Sequence, residues 1–234
     1  PPTARYSMLS DGTTLLRRVI QANSKDAVYR MKLVDSLMTI YDQRVQYWPK
    51  YAVSSLNNKA LDMYNFMKDE PEKLYEGLTT AVNELGVKAR ANIYLFQIST
   101  AVDLYKDGKL DPEAVISAYE TAVENIAAMP VKNDVEKRSN EKIISDIESL
   151  FITSQVASCE NLIALFTPRF EADPQNVDLA KNIVKMMGIT EGCTDNDLFL
   201  NAVTVMHNME PSHVSAYNLY KLYAGRADVD NAVK

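Results

Sequence analysis

The sequence predicts an all-α fold built from antiparallel helix pairs, on three observations. Apolar residues recur at steps of three and four along almost the whole chain, the period that one buried helix face requires. Only 7 of the 234 residues are Gly, against roughly 7% in an average protein, so tight turns are few and no long apolar–polar alternation marks a strand. The connections between periodic stretches are short, which places successive helices side by side and opposed.

The first long run is Val28, Met31, Val34, Leu37, Met38, Tyr41 and Val45. It ends at Trp48-Pro49, because proline disfavours helix in the residue before it. Trp48, between Tyr47 and Tyr51, is expected to be a mostly buried anchor joining this segment to the next. Leu56, Ala60, Met63, Tyr64 and Met67 make the second run, broken at Lys68-Asp69-Glu70-Pro71. Leu74, Leu78, Ala81, Val82 and Leu85 form a helix stopped by Gly86, a favoured residue just past a helix end. Ile93 to Tyr105 gives another, ending near Gly108. Asp111-Pro112-Glu113 then reads as an N-cap, a first-turn proline and an acid suited to the helix dipole. That helix carries Val115, Ala118, Tyr119, Ala122 and Ile126 and ends near Pro130.

A long amphipathic segment covers residues 134–157, followed by Leu162, Ile163, Leu165 and Phe166. Pro168 is expected to kink or interrupt that last helix. Further helices are expected over 177–187, 196–209 and 213–224, with a start at 228 and with Thr194 or Asp195 capping the second of them. The periodic segments add up to about ten to thirteen helices.

Charge is unevenly spread. Residues 1–50 hold eight Lys or Arg against four Asp and no Glu, so that stretch is +4 and the remainder −10 within a total of −6. An acidic body argues against nucleic acid as the main partner, because phosphate contact needs concentrated Lys and Arg. No run of 18 or more apolar residues occurs, so no membrane span is expected. The chain opens on Pro1-Pro2-Thr3 and stops in Asp230-Asn231-Ala232-Val233-Lys234, which reads as the middle of a helix. A targeting segment or further repeats are therefore expected outside it.

The sequence carries no recognisable catalytic signature. There is no G-x-S-x-G elbow, P-loop or H-E-x-x-H. His207 and His213 are six residues apart with Pro211 between them, which does not fit a zinc pair on one helix face. No enzyme activity, cofactor or metal is expected.

The repeating pattern resembles the tetratricopeptide-repeat family, stacks of helix-turn-helix units about 34 residues long. Ala216, Leu219, Tyr220 and Tyr223 stand where that repeat places core positions 4, 7, 8 and 11 of its first helix, and Ala232 at the small position 20 of the second. Ala180, Ile183, Val184 and Met187 occupy the same first-helix positions one unit earlier. Tyr119 with Ala122, and Leu74 with Leu78 and Ala81, resemble second-helix traces, and Pro49, Pro130, Pro174 and Pro211 lie near unit ends. The resemblance covers roughly residues 50–234. It implies an α-solenoid over 51–234, with residues 1–50 a divergent N-terminal helical segment packed on the repeats. Tyr220 and Val184 replace the usual small residue at position 8, so less regular packing is expected.

Ser158-Cys159-Glu160-Asn161-Leu162 and Glu191-Gly192-Cys193-Thr194-Asp195 resemble segments of exported bacterial proteins with such repeats. That likeness implies a periplasmic or cell-envelope location, with the cytoplasm as the alternative. Cys159 and Cys193 are 34 residues apart, about one repeat, and by this register both fall near the start of a second helix. They form a disulfide if the compartment is oxidising; otherwise they are two buried or free thiols.

In the resembled fold, first-helix positions 5, 6 and 9 line the concave side. Here those positions are Lys181, Asn182 and Lys185, then Tyr217, Asn218 and Lys221. Amides and ammonium groups in register can hold an extended peptide or a carboxylate, although a plain solvated face carries the same residue types. The expected function is a non-catalytic scaffold for a protein or peptide partner, an acidic peptide first. The alternative is a binder of small glycan or peptide nutrients on the same frame.

Overall fold

A computed structural model describes residues 5–226. Among them lie eleven α-helices, two short 3-10 turns and no strand. Two compact units divide the chain, Pro1–Phe151 and Ile152–Lys234.

The first unit holds α1 (Tyr6–Ala22), α2 (Ala27–Tyr47), α3 (Ala52–Phe66), α4 (Pro71–Leu85), α5 (Ala91–Lys106), α6 (Pro112–Ala127) and most of α7 (Asp134–Thr153). From α1 to α6 each helix packs on the next, and α3 also packs on α5. The boundary expected near residue 50 thus falls inside this unit, where α2 packs on α3.

α5 carries the densest core, with Ile93, Tyr94, Ile98, Ala101 and Val102 all sealed from solvent. It touches α3, α4 and α6, so it has little face left for water. Each Ile or Val sealed this way stabilises the fold by about 1.5–3 kcal/mol relative to exposure. Gly86 ends α4 at φ +49, a backbone that side chains rarely tolerate. Gly108, at φ +68, lets the Lys109 amide turn back to Leu104 O at 2.8 Å and close the end of α5.

The first unit also buries charge. Arg17 Nε donates to both carboxylate oxygens of Asp62, at 3.0 and 2.8 Å, and Arg17 Nη2 reaches the Tyr41 hydroxyl at 2.5 Å. Arg44 is 5% exposed; its guanidinium lies over the rings of Tyr6 and Tyr41 and donates to the Tyr6 hydroxyl at 2.5 Å. These contacts tie α1, α2 and α3 together. Trp48 is half-buried rather than sealed, its ring edge-on to Tyr6 at 6.1 Å. Tyr6 stacks on Tyr51 at 3.9 Å, so three aromatic rings share the site expected for one anchor.

The second unit holds α8 (Cys159–Ala172), α9 (Val177–Ile189), α10 (Asp197–Met209) and α11 (His213–Gly225). α9 packs on α8 and α10, and α10 also packs on α8 and α11. All four of these helices are capped. Ser158, Asn176, Asn196 and Ser212 each accept the backbone N–H three residues on. The cap of α10 is therefore Asn196, not Thr194 or Asp195. Pro168 does not break α8, which runs through it. Pro168 and Ala164, whose carbonyl it cannot serve, both face solvent, so the missing bond falls on the wet side of the helix. The segment read as 134–157 stops at Thr153, and Gln155 follows at φ +59. The start at 228 and Ala232 lie outside the described residues.

Candidate functional site

The candidate row is divided between two helices. α9 carries Lys181, Asn182 and Lys185, and α11 carries Tyr217, Asn218 and Lys221. Both pack on α10 rather than substantially on each other. Lys181 is already engaged, its ammonium 2.8 Å from a Glu210 carboxylate oxygen just past α10. Lys185 is exposed, and the exposed Lys221 ammonium sits 5.6 Å from the centre of the Tyr217 ring. Asn182 and Asn218 are half-buried. The positive character of the row therefore rests on Lys185 and Lys221.

The register expected for α9 matches its burial, with Ala180, Ile183 and Met187 sealed and Val184 partly so. α11 differs. Ala216 and Tyr220 are exposed, and Leu219 and Tyr223 are only half-buried. The one sealed residue among the described part of α11 is Ser215, whose hydroxyl completes a capping box with Ser212 and lies 2.8 Å from His207 Nδ1. The physical reason is that α11 packs mainly on α10 among the described helices, so a core face has little to be buried against. Val214, Tyr217 and Tyr220 are left 71%, 60% and 52% exposed.

Cys159 and Cys193 form a disulfide, with Cα atoms 5.1 Å apart. Cys159 opens α8, as read from the sequence. Cys193 lies in the loop before α10 rather than in the helix. That loop is tethered on both sides: Asn196 Nδ2 donates to Cys193 O at 2.8 Å, and the Thr190 hydroxyl donates to Ala157 O at 3.2 Å.

Two concavities in the first unit were not read from the sequence. A groove of about 550 Å³ has α3 as its floor and α2 and α4 as its walls. Lys59 and Asp42 form an ion pair within it. Gly77 leaves room there for Met63: a Cβ at 77 would lie 1.8 Å from the Met63 methyl carbon. The second cavity, about 590 Å³, lies between the α4–α5 turn and the α6–α7 loop. Lys88, Arg90 and Lys132 line it together with Glu136. No sequence signal marked it, because its charges come from segments more than forty residues apart.

Among the described residues no group of three or more His, Cys, Asp or Glu is placed to hold a metal ion. No described helix is long and apolar enough to cross a membrane. No protein-family model matches the chain, and no curated protein shows significant similarity to it.

Proposed function

We propose that this chain is a non-catalytic scaffold of tetratricopeptide type, an α-solenoid whose surface holds a peptide or a folded protein partner. The observation that carries this reading is the face of α11. Val214, Tyr217 and Tyr220 stand largely in water on one helix, beside Lys221. Large apolar side chains grouped in solvent mark contact surfaces, and tyrosine is enriched where partners dock. The helix packing supports the solenoid part: besides sequential neighbours, α3 meets α5 and α8 meets α10, which stacked helix pairs require.

An exported location belongs to the same reading. The Cys159–Cys193 bond supports it, since disulfides persist in oxidising compartments. Lys185 and Lys221 favour an acidic or carboxylate-terminated peptide, and nucleic acid is disfavoured by the acidic body.

The test is fluorescence anisotropy with acidic-tailed and neutral peptides on the intact chain. Acidic peptides should bind more tightly, the affinity should fall as salt rises, and Lys185→Glu with Lys221→Glu should abolish the preference. Binding unaffected by that double change would move the contact face elsewhere, to the basic first 50 residues. The second reading, a small-molecule binder, draws on the two cavities of the first unit.

A further inference from the structure

The cavity between the α4–α5 turn and the α6–α7 loop has an unusual charge balance. Lys88, Arg90 and Lys132 all line it, all are exposed, and none has a carboxylate partner among the described residues. Three unpaired cations sit together on a chain that is net −10 outside its first 50 residues. Like charges gathered around one cavity repel, and a bound counter-charge relieves that repulsion. The one acid in the lining, Glu136, holds the Lys132 amide at 2.8 Å and leaves the lining a net +2.

A second feature points to the same spot. α5 begins at this cavity, and no side chain caps it. The Arg90 amide is served by Asn57 Oδ1 at 2.7 Å. The first-turn amides of Ala91 and Asn92 have no acceptor among the described residues, as at any uncapped helix start. The dipole of a sixteen-residue helix adds partial positive charge at this end. Lys88, Arg90, Lys132 and the first residues of α5 thus line one space.

We propose that this cavity is a binding site for a small organic anion carrying a phosphate or carboxylate head. The head group sits at the start of α5, accepting the Ala91 and Asn92 amides. Arg90 supplies a planar pair of donors suited to an oxyanion, and Lys88 and Lys132 add point charge. The volume, about 590 Å³, exceeds that of a bare inorganic ion and falls in the range of small-molecule pockets. Met129 and Ile143 line its sides and offer an apolar surface to the body of the ligand. The site shares no residue with the row on α9 and α11, so either proposal can fail alone.

The test is isothermal titration calorimetry of the intact chain at low salt with three probes: inorganic phosphate, pyrophosphate and citrate. At least one should bind saturably at one site per chain, more weakly as salt rises. Arg90→Gln with Lys132→Gln should weaken it by about tenfold or more, the size of one charge-assisted contact. Both residues are exposed, so the variant should keep its helical circular dichroism. Lys142→Gln, an exposed cation paired with Asp146 and outside the lining, should leave the binding unchanged. Amide resonances of Ala91 and Asn92 should shift during the titration. Binding by the phosphates alone assigns a phosphate head, and binding by citrate alone a carboxylate head. No saturable binding of any probe, or binding that survives the Arg90 and Lys132 changes, overturns the proposal.

Discussion

The Tyr41 hydroxyl donates to Asp62 Oδ2 at 2.7 Å, between α2 and α3, while Arg17 grips the same carboxylate from α1. Three helices of the first unit therefore share one buried charge. Asp62 is nearly sealed, its side chain 6% exposed, whereas that of Arg17 is 36% exposed. Asp62→Ala should lower the unfolding free energy by about 3 kcal/mol, the low end for breaking a buried pair, because water still reaches Arg17. Urea unfolding measures it; a loss under about 1 kcal/mol would show that the pair adds little beyond a surface contact.

Two tyrosines should respond in opposite ways to loss of the hydroxyl. Tyr41→Phe removes a bonded group and should cost about 1–2 kcal/mol. The Tyr119 hydroxyl is buried without a partner, while its ring stacks on Phe151 at 4.2 Å. Tyr119→Phe should be neutral or stabilising by up to about 1 kcal/mol, since it removes a desolvated polar atom and keeps the stack. Paired thermal melts decide, and a destabilised Tyr119→Phe would reveal an acceptor for that hydroxyl.

The same tyrosines set the alkaline limit. Burial pushes Tyr94 and Tyr119 up to about 12, and Tyr41 is raised further by burial and by the Asp62 carboxylate. A raised folded value means that the fold favours the protonated phenol. The stabilising contribution is complete below the unfolded value of about 10 and is lost as pH rises through the folded values. Stability should therefore hold to about pH 10 and then fall. Tyrosinate absorbance read alongside circular dichroism should show these three phenols ionising late, with unfolding.

Reduction should loosen the second unit. The Cys159–Cys193 bond closes a loop of 34 residues, for which chain entropy gives about 3–4 kcal/mol. Reductant, or Cys159→Ser with Cys193→Ser, should lower the denaturant midpoint of that unit. An unchanged midpoint would mean that the capped helices α8 to α10 hold their packing without the link.

Gly77 gives a test of non-additivity. A helical Gly→Ala change normally gains about 1 kcal/mol, but here the new Cβ must displace the Met63 methyl group from a nearly sealed position. Gly77→Ala alone should be neutral or destabilising by about 1 kcal/mol. In a Met63→Ala background the same change should stabilise by about 1 kcal/mol. Equal effects in both backgrounds would show that Met63 moves aside freely.

Local chemistry was legible in the sequence. Apolar spacing marked most of the helices, Trp48-Pro49 ended α2, Gly86 ended α4, and the register of α9 follows its burial. These features depend on neighbours three or four residues away, and a single helix determines them. α1 escaped although Met8, Leu9, Leu15, Leu16, Val19 and Ile20 share one side of it, because Gly12-Thr13-Thr14 interrupts that run with poor helix formers. What only the tertiary structure decided involves residues distant in sequence. Arg17 meets Asp62 across 45 positions, and Lys88 and Arg90 share a cavity with Lys132. The exposure of Tyr217 and Tyr220 follows from what packs beside α11, not from their spacing along it. Periodicity specifies that a helix has a face; which face meets which partner is set by how the whole unit excludes water.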